Sequence, residues 1–123
     1  MTTPAVLLPK VRSEKITQAA EDMPCAARIS SFIPGHSCAA QDTVVWAHLG
    51  NLGKGTSTKV SHINGCAACV RCHDLIDGRD KRIWYILEKY PLAAMQRILS
   101  AQHESLARLI EAEIVTVQGG KII

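Results

Sequence analysis

Sixteen residues, Asn64 to Arg79, "NGCAACVRCHDLIDGR", hold three cysteines, a histidine and two aspartates. No other stretch limits so strongly what the chain can fold into. Cys25 and Cys38 lie upstream and bring the cysteine count to five. An odd number suits a disulfide framework poorly. The short apolar run "PAVLLP" has no basic segment before it, as a secretory signal would, and nothing approaches a membrane span. A cytoplasmic location is therefore expected, where clustered cysteines point to metal binding or catalysis.

Zinc bound by four thiolates takes its ligands as pairs from two places in the chain. Cys25 and Cys38 form one candidate pair, joined by a long knuckle. The other pair comes from Cys66, Cys69 and Cys72, which spell C-x-x-C twice, at 66/69 and at 69/72. The second choice puts a cysteine at the entry to a helix, as in a treble-clef finger. Cys66 is otherwise explained as a small buried hydrophobe. A thioredoxin-like redox pair lacks its βαβ surroundings.

The 123 residues fit a single domain, 1–123, with a modest core that benefits from a metal staple. Residues 1–20 read as a flexible N-terminal arm in which "RSEKITQAAE" can form a short helix. Residues 25–82 form the expected core. Within it "ARISSF" reads as a strand, "DTVVWAHLG" as a strand leading to His48, "GNLGKGTSTK" as a basic loop, and "SHING" as a second short strand or a turn. The pattern becomes helical from Val70. Residues 83–123 are a helical extension interrupted near Pro91, with Leu92, Met95, Leu99, Leu106 and Leu109–Ile110 as its apolar stripe and "EIVTVQGGKII" as a closing strand. The fold class expected is α+β.

Two functions follow from the polar residues. Lys54, Lys59, Arg71, Arg79, Lys81 and Arg82 surround the cysteine-rich stretch and make a rim suited to phosphate. Phosphodiester hydrolysis needs a base, which a histidine supplies near neutral pH, and a cation to offset charge growing on the phosphate. His48 ends a strand, Asn64 precedes the second, and His73 and Asp77 stand four apart on a helix, where they can face one ion. Read singly, these are ordinary residues: Asp77 can cap a turn, Asn64-Gly65 is a turn dipeptide, and His62 is an ambiguous substitute ligand.

The motif Asn64-x4-Cys69-x2-Cys72-His73 resembles the second half of the HNH nuclease signature, and "VVWAHLG" resembles its first half. The arrangement "C…IPG…C…VxxAH…K…CxxCHDxIDxR" resembles the small YbcO-like nucleases of lambdoid phages and prophages. The resemblance implies a zinc-stabilised ββα-metal (HNH, His-Me finger, treble-clef-like) core with a C-terminal helical extension. It implies His48 as general base, Asn64 as the residue that orients or braces, and His73 as ligand of a catalytic ion. It makes Cys25, Cys38, Cys69 and Cys72 the structural zinc ligands. Ala47 stands where many HNH enzymes have an acidic ligand, and Asp77 is the expected replacement.

The expected function is metal-dependent endonucleolytic cleavage of DNA in a bacterial cell carrying the phage or prophage. Zn²⁺ would be structural and Mg²⁺, Mn²⁺ or another divalent ion catalytic. Lys54, Lys59, Arg71 and Arg79 would hold the DNA backbone, and the C-terminal helices would permit a homodimer. The alternative is a catalytically lapsed binding module for DNA or protein, a reading that Ala47 favours.

Overall fold

The computed structural model of the chain describes residues 9–49 and 61–123. A two-stranded antiparallel sheet lies at its centre: β1, Val45–His48, pairs with β2, Gly65–Ala68. The register sets Trp46 opposite Ala67, Ala47 opposite Cys66, and His48 opposite Gly65. Helix α1, Glu14–Ala19, precedes the sheet; α2, Val70–Ile76, follows it directly. Two further helices complete the chain, α3 (Ile83–Lys89) and α4 (Pro91–Glu111).

All of β2 is buried, although it is one edge of a two-stranded sheet. Its outer backbone groups still need partners. The Ala67 carbonyl accepts from the amides of Ala26 (2.8 Å) and Ala27 (3.2 Å), and the Ala67 amide donates to Ser105 Oγ on α4 at 3.0 Å. The first two bonds seat the segment after Cys25 against the strand. The third explains why a serine lies in the buried face of α4.

Four of the sequence expectations need correction. "ARISSF" is not a strand. Arg28 adopts a left-handed conformation at φ 48° and turns the chain into a single 3-10 turn, Ile29–Phe32, with Ile29 and Ser30 buried. The closing segment forms no strand; residues 112–123 are turns and irregular chain. The N-terminal segment read as an arm is packed from α1 onward, with Ile16 and Ala20 in the core. The apolar stripe of the extension is buried only at its C-terminal end, at Leu109, with Leu106 and Ile110 half-buried. The buried face of α4 is Ala94, Ile98, Ala101, Ser105 and Leu109, while Leu92, Met95 and Leu99 are exposed. The physical reason is close approach. β2 is Gly-Cys-Ala-Ala, and a helix lying on so flat a strand meets it through small side chains.

The helix beginning at Val70, the strand ending at His48 and the break at Pro91, the first residue of α4, lie where the sequence puts them. "SHING" makes a turn before β2. Helix α2 stops at Asp77 because Gly78, at φ 79°, takes the left-handed position and donates its N–H to the Leu75 carbonyl.

Gly65 is required for a different reason. A Cβ there would lie 2.3 Å from Trp46 Nε1 and 2.7 Å from the Ala47 carbonyl oxygen. Gly65→Ala should therefore destabilise the protein by about 1–3 kcal/mol, the usual cost of overpacking. Urea unfolding checks it; an unchanged midpoint would show that the indole gives way freely.

Candidate metal centre and active site

The Sγ atoms of Cys25, Cys38, Cys69 and Cys72 all lie within 4.8 Å of one another. Each arrives by a different local device. Cys25 precedes the segment bonded to the Ala67 carbonyl. Cys69 is the N-cap of α2 and Cys72 lies in its first turn. Cys38 comes back from the turn after Gly35, where φ is 78°. Polar groups surround the sulfurs. The Ala39 amide donates to Cys69 Sγ at 3.3 Å, and the Ser30 hydroxyl lies within hydrogen-bond reach of Cys72 Sγ at 3.4 Å and of Cys38 Sγ at 3.9 Å.

The electrostatics fit a cation. Cys25 is held down at about 4, chiefly by the hydrogen bond from the Cys72 thiol and further by the backbone amides of Cys69 and Arg28, against the effect of burial. That same bond to Cys25, together with burial, pushes the Cys72 thiol upward. Burial and the Cys25 charge raise Cys38 to about 11. Four sulfurs this close ionise together only around a positive ion, so the set is fitted to hold a metal. Arg28 Nη2 binds Glu104 Oε1 at 2.8 Å, and Arg97 Nη2 binds Glu104 Oε2, which places two guanidinium groups on the thiol side of α4. Cys66 is outside the cluster. It is fully buried in β2, and burial pushes its thiol up to about 12.

The polar end of the hairpin holds the histidines. His48 is half-buried, and its Nε2 is shielded from solvent with no hydrogen-bond partner among the described residues. Its ring lies 5.5 Å from that of His62, centroid to centroid. Burial lowers the His48 pKa below 6.5; the repulsion that a second proton on His62 or His73 would meet beside a charged His48 lowers it further, and Asp77 opposes this. The imidazole is thus neutral at pH 7 and has a lone pair to offer. On α2, His73 Nε2 stands 3.1 Å from Asp77 Oδ2.

Asn64 braces this end. Its backbone carbonyl accepts from the Leu49 amide at 3.1 Å, just past His48, and its side-chain Oδ1 accepts from Gln102 Nε2 at 2.7 Å. Sequence reasoning missed Gln102, which looks like any polar residue on a helix surface. It also missed Ser30, hidden inside a segment read as strand.

The basic residues divide. Arg79 is engaged with acids, its Nε 3.0 Å from Asp74 Oδ1 and its Nη2 2.9 Å from Asp77 Oδ2. Arg71 is exposed and donates to the Ser37 carbonyl at 3.0 Å. Lys54 and Lys59 lie outside the described residues.

A protein-family model described as "Putative nuclease YbcO" matches residues 14–107, about three quarters of the chain. The chain belongs to the YbcO family. No curated protein and no solved structure matches it. The YbcO match runs from α1 through most of α4, so it takes in all four clustered cysteines, His48, Asn64, His73, Asp77 and Gln102. A nuclease family acts on nucleic acid. No helix among the described residues is long and apolar enough to cross a membrane.

Metal content tests the cluster in this YbcO chain. Cys25→Ser, Cys38→Ser, Cys69→Ser and Cys72→Ser should each lower bound metal and stability, whereas Cys66→Ser should leave metal content unchanged. Elemental analysis with thermal unfolding reads both. Metal loss in Cys66→Ser alone would contradict the cluster.

Proposed function

We propose that this YbcO chain is an HNH-type endonuclease that hydrolyses DNA phosphodiester bonds. The observation that carries the reading is His48: a neutral imidazole whose Nε2 has no partner among the described residues, on a strand end adjoining the His73–Asp77 pair. His48 takes the proton from the attacking water, a step for which a neutral histidine near pH 7 suits. Asn64 keeps the backbone beyond His48 in place through the Leu49 amide and is itself held by Gln102. His73 and Asp77 would hold a divalent ion, Mg²⁺ or Mn²⁺, which supplies positive charge to the phosphate and to the departing oxygen. Zinc at Cys25, Cys38, Cys69 and Cys72 would fasten the start of α2 to the N-terminal half of the core, so that base and ion ligands keep their spacing. Together the hairpin and α2 supply the parts of a ββα-metal core.

Ala47 favours the rival reading, a lapsed binding module, only if an acid at that position could serve the site. Ala47 is fully buried opposite Cys66, and a carboxylate there would lose its hydration in the core. Asp77 on α2 is the better-placed acid. Arg71, Lys54 and Lys59 are proposed to contact the DNA backbone. Arg79 is proposed to act there through Asp77, whose carboxylate it holds. A homodimer through the C-terminal helices is supported by the exposed Leu92, Met95 and Leu99 of α4, a stripe to which a second copy could present the same stripe.

Plasmid cleavage with Mg²⁺ or Mn²⁺ tests the mechanism. His48→Ala should fold and keep its metal, yet lose about 10²–10⁴-fold in rate. The wild-type rate should fall as the pH drops through the His48 pKa, which lies below 6.5, because protonation removes the base. Full cleavage by His48→Ala would exclude the mechanism.

A further inference from the structure

His62 has no part in the HNH signature, yet both its backbone and its ring are held. Its amide donates to the Val11 carbonyl at 2.7 Å, and its carbonyl accepts from Trp46 Nε1 at 2.7 Å. The ring is held as well. Nδ1 accepts from the Ser13 amide at 2.7 Å. Next to it, Val11 donates its own amide to Ser61 Oγ at 2.9 Å. The N-terminal segment before α1 is therefore a strap that clamps the turn carrying His62.

These contacts decide the tautomer. Nδ1 is 2.7 Å from the Ser13 amide and 3.1 Å from the Ser13 carbonyl. That carbonyl already accepts the Thr17 amide in the first turn of α1. An acceptor Nδ1 leaves the proton of neutral His62 on Nε2, at the opposite edge of the ring. Among the described residues Nε2 has no partner, and the ring stands beside His48. A half-buried N–H donor, clamped from behind and placed next to the proposed base, is suited to an anionic oxygen.

We propose that His62 is a neutral hydrogen-bond donor, through Nε2–H, to a phosphate oxygen of the nucleic acid bound beside His48. The proposal rests on the reading that a phosphodiester enters this site, and it adds a group that holds the phosphate while His48 handles the water. His62 exchanges no proton with the substrate. It is therefore distinct from a general acid, which would have to be doubly protonated and would lose the bond from Ser13.

Two side-chain amides separate the possible roles. Glutamine at position 62 can place an N–H near the Nε2 position. Asparagine reproduces only the Nδ1 edge and can accept from Ser13 without presenting the outer donor. Affinity for a short DNA duplex is measured on the full chain with Ca²⁺, so that binding is read without turnover. His62→Ala and His62→Asn should each weaken binding about tenfold, as expected for loss of a hydrogen bond to a charged group, and His62→Gln should recover most of it. Long-range ¹H–¹⁵N spectra of the wild type should show the Nε2–H tautomer and a shift of that signal on adding duplex.

Wild-type affinity in His62→Asn, with only His62→Ala impaired, would reduce His62 to a structural clamp and overturn the proposal. A proton on Nδ1, or no binding of duplex, would also overturn it. Cleavage assays keep the two readings apart. Intact cleavage and binding in His62→Ala would remove His62 and leave the endonuclease standing. Binding that depends on His62 in a protein that cleaves nothing would do the reverse.

Discussion

The convergence of four sulfurs within 4.8 Å is the constraint on which the rest of the structure depends. Two come from the irregular N-terminal third and two from the start of α2. Neither part has enough regular structure to hold its own shape. Between them runs the hairpin, only four residues long in each strand. Isolated hairpins of this size are marginal in water. Fastening both flanks to a common ion would give the hairpin fixed walls, and the edge of β2 is completed by Ala26, Ala27 and Ser105 in place of a third strand.

That arrangement separates structural from chemical duties. Cys69, Cys72 and the alanine-lined contact with α4 are buried, with Cys25 and Cys38 half-buried beside them, whereas His48, His62, His73 and Asp77 gather at the polar end of the hairpin. Burial acts differently at the two ends. At the thiols it penalises charge that only a cation can restore. At His48 it favours the neutral imidazole, the form that the proposed base needs. Helix α4 reaches both ends, through Glu104 to the two arginines near the thiols and through Gln102 to Asn64.

The placement of the candidate site residues was more legible in the sequence than the packing. Cysteine spacing, the i, i+4 pair His73–Asp77 and the strand ending at His48 are local signals, carried by residue types with few other uses. The four-sulfur set with Cys66 excluded lies where the resemblance put it. The misreadings share a cause: each was decided by tertiary contact. "ARISSF" has strand-forming residues, but the left-handed Arg28 and the need to place Ser30 among the sulfurs curl it into a 3-10 turn. The large apolar residues of α4 suggested its inner face, but the small residues of β2 bring Ala94, Ala101 and Ser105 inward beside Ile98 and Leu109 and leave Leu92, Met95 and Leu99 outside. Gln102 gave no signal and His62 only that of an ambiguous substitute ligand, because their partners lie 38 and 49 residues away.

X-ray absorption at the zinc edge, on protein as purified, tests the central claim most directly. The account predicts one ion with four sulfur neighbours at about 2.3 Å and no nitrogen or oxygen in the first shell. A shell containing histidine nitrogen, or fewer than four sulfurs, would contradict it.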